Sequence, residues 1–150
     1  MQSIGTGFTD TYDNAAFKPG SIAWDDSGNA YIFAMSQNDM DVNRVVVLEG
    51  QTSGSAREVS NGVANPGRRI AIAMTPVDTH DYAWFQVFGA ARLRTGGAAT
   101  GNSRLYTNAA AGQLNIATTA GASEVKGIEI TSNKADSRND CLLTFPVCVN

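Results

Sequence analysis

Histidine and its neighbouring carboxylates are the residues whose types could support acid–base chemistry. The sole histidine, His80, lies between Asp78 and Asp81, and a carboxylate can hold an imidazole in position to accept a proton. Such a base needs a nucleophile, yet no serine or cysteine stands in a Gly-x-Ser-x-Gly context or another recognisable arrangement. The segment joins two predicted strands, so we interpret His80 as a solvated turn residue and predict no enzymatic activity.

Residues that could bind a metal ion or a phosphate do not form a known motif. One histidine and two distant cysteines do not compose a zinc site. The acidic pairs, Asp25 with Asp26 and Asp39 with Asp41, lack the spacing of a calcium loop. The glycine-rich segment 95–101 lacks the Gly-Lys-Ser/Thr ending of a phosphate loop. We therefore predict no cofactor and no metal site.

The elements that would have to position any site are strands. Side chains alternate in residues 29–36 and in 82–88, and a short Gly-containing turn before the first of these indicates a hairpin. Turn residues separate about nine or ten short segments, which is typical of a β-sandwich or a small β-barrel. The predicted strands are 21–25, 29–36, 44–48, 68–75, 82–88, 90–94, 104–107, 113–117, 125–131 and 141–149. The sequence predicts an all-β domain, with single helical turns at 108–112 and 135–140.

Three segments lie outside this pattern. Residues 1–20 end in a Lys-Pro-Gly turn and contain three aromatic residues. They form either an extended N-terminal arm with aromatic anchors or an irregular edge strand folded back on the domain. We assign 1–20 as an N-terminal arm and 21–150 as a single all-β domain. The segments 50–67 and 96–102 are predicted loops, either contacting neighbouring subunits or simply exposed.

The composition limits the classes of partner. A length of 150 residues corresponds to one domain, and 11 Lys+Arg against 14 Asp+Glu give a net charge of −3. This balance argues against a protein that coats nucleic acid. The aromatics Tyr82, Trp84 and Phe88 precede arginines, as in a single-strand-binding platform, but alternating aromatics are more typical of a core or subunit interface. No segment approaches the ~20 apolar residues of a membrane helix, and residues 1–5 do not resemble a signal peptide. We predict neither a nucleic-acid nor a membrane partner.

The two cysteines are predicted to be free. Cys141 and Cys148 are seven residues apart, which places their side chains on opposite faces of a straight strand. A disulfide would require a sharp bend at Pro146. We predict two buried thiols, as expected after synthesis in a reducing cytoplasm.

Four short motifs occur in a fixed order along the chain. Trp-Asp-Asp-Ser-Gly-Asn-Ala-Tyr occupies 24–31, and Tyr-Ala-Trp-Phe-Gln-Val-Phe-Gly occupies 82–89 after Ile-Ala-Ile-Ala at 70–73. Leu-Tyr-Thr, followed by Gly-Gln-Leu, lies within 105–114, and Val-Lys-Gly-Ile occupies 125–128. Together they resemble the head decoration (capsid cement) proteins of tailed bacteriophages, over roughly residues 20–131. Ala83 stands where that family tends to have glycine, and the N-terminal arm and the Cys-containing C-terminal strand match no part of it.

The resemblance implies a small β-barrel or β-tulip domain, commonly a trimer, on the outside of an icosahedral head. Such proteins clamp neighbouring major capsid protein subunits and catalyse nothing. The expected function is therefore that of a structural virion protein, made in the host cytoplasm, which binds the capsid exterior and stabilises it.

Aromatic and arginine side chains are the typical anchors of protein interfaces, and eight of the 11 cationic residues are arginines. The candidate capsid-interface residues are Phe8, Tyr12 and Phe17 in the arm, Arg68 and Arg69 beside the long loop, and Arg92 and Arg94 on one face of a strand.

An alternative function is a tail- or fibre-associated β-domain that binds host surface glycans. Such a site needs an exposed aromatic ring beside carboxylate acceptors, and Trp24 precedes Asp25 and Asp26. A core position for Trp24 is the competing interpretation.

Overall fold

The computed structural model describes residues 7–62, 67–97, 99–101, 103–132 and 137–149. These residues form an all-β fold without a helix, which confirms the predicted fold class. None of them belongs to a helix long and apolar enough to span a membrane. The strands are β1 (Thr11–Tyr12), β2 (Ile22–Trp24), β3 (Ala30–Ser36), β4 (Val45–Glu49), β5 (Ser55–Glu58), β6 (Ile70–Ala73), β7 (Tyr82–Arg94), β8 (Leu105–Thr107), β9 (Leu114–Asn115), β10 (Glu124–Ile130) and β11 (Arg138–Val149).

Five strands close into a small barrel in the order β3-β5-β4-β6-β7, and β7 pairs back onto β3. All pairings in this ring are antiparallel except β3 with β5. A barrel of few strands has a narrow interior, and six of the eleven strand residues that fill it are alanine. These interior residues are Ala30, Ile32, Ala34, Val46, Leu48, Ala56, Ala71, Ala73, Ala83, Phe85 and Val87.

The long strand β7 belongs to two sheets because it bends at Gly89. Its first half lies in the barrel, and its second half pairs with β11. Gly89 has a φ of +99°, and a Cβ there would overlap the side-chain oxygen of Asn29. The buried Gln86 donates hydrogen bonds to the carbonyls of Phe88 (3.1 Å) and Ala90 (3.0 Å), on either side of the bend. The predicted strands 82–88 and 90–94 are therefore one continuous strand with a hinge.

A second sheet, β7-β11-β10-β8-β9, covers one side of the barrel. Between the two layers lies the larger core, in which Val45, Val47, Ile70 and Ile72 from the barrel face leucine, isoleucine and valine side chains of the second sheet.

Both cysteines are buried in this interlayer core as thiols outside any disulfide, as predicted. They share one core despite their odd separation because β11 contains extra residues between Leu143 and Val147, opposite Gly127. This bulge reverses the alternation of β11. Burial raises the pKa of Cys141 to about 12, and the nearby carboxylate of Asp140 adds to the effect.

Three local predictions are wrong. The segment predicted as a loop at 50–67 contains β5, which pairs with both β3 and β4. Residues 108–112 form a bend and a turn rather than a helical turn. Of the helical turn predicted at 135–140, residues 138–140 belong to β11, while 135 and 136 lie outside the described residues. In each case backbone hydrogen bonds to distant parts of the chain decide the structure, and local sequence does not encode them.

Candidate interaction surface

The aromatic residues of the N-terminal segment pack on the domain. Phe8 stacks on Tyr31 with ring centroids 4.2 Å apart, and Phe17 lies 5.2 Å from Trp84. Tyr12 meets the ring of Phe33 at 5.8 Å. β1 adds to β7 through the pair of Thr11 with Ala83. For residues 7–20 the structure therefore corrects the extended arm to the folded-back alternative. The segment buries Tyr31, Phe33 and Trp84 on the outer face of β3 and β7. Residues 1–6 lie outside the described part.

A basic groove lies at the end of this segment, where residues 18–21 meet residues 50–53 and 67–69. It is a cavity of about 590 Å³ lined by residues 18–21, 48, 50–53 and 67–69. Its cations are Lys18, Arg68 and Arg69, and none of them lies within 4.0 Å of a carboxylate in the described residues. Gly20 closes the groove against the chain at Thr52, where a Cβ would overlap the Thr52 carbonyl oxygen. The groove therefore carries three cationic side chains that form no ion pair within the described part of the chain.

An apolar pocket adjoins the groove and shares Arg69 with it. The pocket has a volume of about 180 Å³ and is lined otherwise by aliphatic and aromatic residues, namely Ile22, Ile70, Val87, Phe145, Pro146 and Val147. Ile22 is 46% exposed and Phe145 is 42% exposed. Most large apolar side chains of the described residues are more deeply buried, so this pocket is an exposed apolar site.

The bulge in β11 determines the position of the exposed ring of Phe145. Its φ is +46°, a left-handed conformation that is unfavourable for a bulky side chain. The ring lies 5.3 Å from that of Phe88 and 6.2 Å from that of Trp24. These three rings form an aromatic patch at the end of the barrel, continuous with the apolar pocket through Phe145.

The other two arginine candidates are paired with carboxylates. Arg92 Nε lies 3.0 Å from an oxygen of Asp140, and Arg94 Nη2 lies 3.0 Å from an oxygen of Asp41. The structure therefore places them in local ion pairs rather than in the basic groove. Exposed pairs of this kind are weak.

His80 occupies an exposed turn with a φ of +71°. Its amide donates to the carbonyl of Ser36, and the amide of Asp81 donates to the carbonyl of Asp78. The nearby Asp39 accepts hydrogen bonds from the backbone amide and the hydroxyl of Thr79. These hydrogen bonds, above all the one from the backbone amide, lower the pKa of Asp39. In the described part of the chain, no three His, Cys, Asp or Glu residues are grouped so that they could hold a metal ion.

The carboxylate of Asp25 is occupied by its own hairpin. It accepts hydrogen bonds from the amides of Ser27 and Asn29, from the Asn29 side chain and from the Tyr31 hydroxyl, all between 2.9 and 3.0 Å. Burial acts to raise the pKa of Asp25, but these bonds outweigh it and the pKa is lowered. Trp24 is half-buried and packs against Phe88. The residue pair that suggested glycan binding is thus engaged within the domain.

The sequence predicted Arg68 and Arg69 as interface candidates but missed Lys18, Ile22 and Phe145. The available signal was the Thr-Phe-Pro sequence at 144–146, which interrupts the alternation of the last strand and thereby exposes an aromatic residue.

Neither the protein-family models nor the curated proteins include a match to this sequence. Solved structures share its fold. The head fiber gp8.5 N base of bacteriophage phi29 aligns with a TM-score of 0.52 and 11% identity, over 78% of this chain and 95% of that one. A chain in the capsid of Myoviridae phage XM1 aligns with a TM-score of 0.54 and 16% identity, over 88% of this chain and 98% of that one. At these identities the likeness establishes a shared fold.

Proposed function

We propose that this chain is a structural protein of a tailed-phage virion that binds the outside of the head. In this role it stabilises the capsid by bridging neighbouring major capsid protein subunits, it acts as a homo-oligomer, preferably a trimer, and it performs no catalysis. It is made in the host cytoplasm and functions on the particle.

The observation that carries the proposal is the shared fold. Two structures from phage particles, a head fiber base and a chain of a capsid, match 78% and 88% of this chain. The motifs at 24–31, 82–89 and 125–128 independently resemble the decoration proteins. Fold alone does not define function, so the proposal also requires a surface suited to adhesion.

The surface described above has the chemistry of a protein interface. Aromatic and arginine side chains are enriched at such interfaces. Here Phe145 lines the apolar pocket together with Arg69, and its ring lies beside those of Trp24 and Phe88. A decoration protein has to resist the pressure of packaged DNA across subunit joints, and a stable contact buries about 1,200–2,000 Å² in total. The groove, the pocket and the aromatic patch provide a starting point for an interface of that size.

The direct test uses shells assembled from the major capsid protein encoded in the same genome. The purified chain should co-sediment with these shells at a fixed stoichiometry, and decorated shells should rupture at a higher temperature than bare ones. A chain that stays in the supernatant and leaves the rupture temperature unchanged would rule out the capsid role. Sedimentation equilibrium tests the oligomer, for which a trimer has three times the 15.8 kDa chain mass.

The glycan-binding alternative has less support. Its acceptor Asp25 already accepts four hydrogen bonds, and Trp24 packs against Phe88. Immunogold labelling of virions separates the two functions, because a decoration protein labels the head and a receptor-binding domain labels the tail or its fibres.

A further inference from the structure

The free edge of β2 runs beside both cavities. β2 ends the strand order and, in the described part of the chain, pairs with β3 alone. Gly20 and Ser21 line the basic groove, and Ile22 lines the apolar pocket. A strand edge, a positively charged groove and an apolar pocket therefore follow one another along the same stretch of chain.

The register of β2 determines which of its backbone groups are available. In an antiparallel pair, every second residue directs its amide and carbonyl away from the partner strand. The Ser21 carbonyl accepts a hydrogen bond from the Phe33 amide, and the Asp25 amide donates one to the Asn29 carbonyl. The odd-numbered residues of this stretch therefore direct their backbone groups towards β3. Ile22 and Trp24 consequently direct their amides and carbonyls towards the free edge.

We infer that this edge binds an extended, acidic segment of a protein partner as an additional strand. The segment would hydrogen-bond to the backbone of Ile22 and Trp24, place an apolar side chain in the pocket beside Phe145, and direct carboxylates to Lys18, Arg68 and Arg69. Strand addition of this type obtains its affinity from main-chain hydrogen bonds and its specificity from side-chain pockets. The identity of the partner rests on the proposed function, in which it is a segment of the capsid shell.

The charges and the pocket favour a polypeptide over a nucleic acid. Among the described residues, the groove is lined by three cations outside any ion pair and by no carboxylate, whereas the chain as a whole carries a net charge of −3. A polyanion that binds through phosphates alone gains from a broad basic surface, which a net charge of −3 does not favour. Apart from Arg69, the pocket of about 180 Å³ is lined by aliphatic side chains and Phe145, which suits one branched or aromatic side chain of a peptide.

Two variants with matched controls test the side-chain contacts. Arg68→Glu with Arg69→Glu should weaken binding to capsid shells by roughly tenfold or more, whereas Arg104→Glu with Lys126→Glu changes the net charge equally and should have little effect. Ile22→Ser should also weaken binding, while Ile116→Ser removes an equally exposed isoleucine (46%) outside the site. Equal effects of variants and controls would overturn the inference.

The backbone contact has its own test. Ile22→Pro removes an amide that faces the free edge and leaves the pairing with β3 intact. It should bind about threefold to tenfold more weakly than Ile22→Ser, which lacks the same side chain but retains the amide. In amide hydrogen exchange, Ile22 and Trp24 should become protected on binding, whereas Ala23 is already protected in the free protein. Unchanged exchange at Ile22 and Trp24 in the bound state would exclude strand addition, even if Ile22→Pro fails to fold.

The possible failures are distinguishable. Wild-type chain that does not bind shells refutes the proposed function. Wild-type binding that survives Arg68→Glu with Arg69→Glu refutes the inference alone. A 20-nucleotide oligothymidylate that binds as tightly as the shells, and loses binding in this variant, would assign the groove to nucleic acid and overturn the polypeptide assignment.

Discussion

Gly89 is the point at which β7 passes from the barrel into the second sheet, and its replacement by alanine tests that hinge. A φ of +99° costs an alanine about 1–2 kcal/mol relative to glycine. The added Cβ would overlap Asn29 Oδ1 and lie 2.9 Å from its Cγ. The Asn29 side chain must then move and lose its 3.0 Å hydrogen bond to Asp25, which costs about 1 kcal/mol more. We expect Gly89→Ala to lower the free energy of unfolding by about 2–3 kcal/mol.

Gly28 provides the matched control. Its φ of +83° is similar, but a Cβ there would meet no atom within 4 Å. Gly28→Ala should therefore cost only about 1–2 kcal/mol. Both variants can be compared by urea denaturation followed by tryptophan fluorescence, with the m-value checked for constancy. Removing the obstructing side chain with Asn29→Ala should make the double variant more stable than the sum of the single costs predicts. Equal losses for the two glycine variants would refute the close approach of Asn29 to the hinge.

Four further predictions concern stability and reactivity. Phe17→Ala should lower the free energy of unfolding by about 1–3 kcal/mol, since it removes a half-buried ring that packs against Trp84. A loss below about 0.5 kcal/mol is typical of surface substitutions and would show that residues 7–20 do not pack on the domain in solution. Burial raises the pKa of the Cys141 thiol from 9.0 to about 12, so its neutral form is favoured by folding and stability should decline as pH rises from 9 towards 12. The same thiol should resist a disulfide exchange reagent at pH 8 until the protein unfolds, and rapid reaction in the native state would contradict its burial. The lowered pKa of Asp25 contributes stability that is present above its ordinary value of 3.8 and is lost as pH falls through the folded value; Asp25→Ala should therefore flatten the acid limb of the stability profile, and an unchanged limb would contradict its role.

The sequence predicted those strands whose side chains alternate visibly along the chain. Alternation in β3 and β7 is visible because one face of each strand enters the barrel and the other meets a second apolar layer. β5 was missed because its sequence, Ser-Ala-Arg-Glu, has weak strand preference. It is a strand because its backbone pairs with β4 on one side and with β3 on the other, and this second pairing closes the barrel. Local sequence does not encode such a non-local closure.

Two errors of prediction arose at residues with a positive φ inside a strand, Gly89 in β7 and Phe145 in β11. Gly89 marks the end of a strand in sequence, yet the hydrogen bonds of Gln86 to both flanking carbonyls maintain β7 through it. Phe145 was not predicted as a surface anchor, because only the bulge opposite Gly127 turns its ring outward. The candidate site therefore needed the structure, although the arginines at 68 and 69 were already suggested by their position beside the loop.

The sharing of β7 between both sheets has a mechanical consequence. β7 pairs with β3 and β6 in the barrel and with β11 in the second sheet, so a force applied to either layer reaches the other through this strand. Gly89, with its φ of +99°, lies where the force passes from the barrel to the second sheet. In the proposed capsid role, tension from an expanding shell would pass between the two layers through this shared strand.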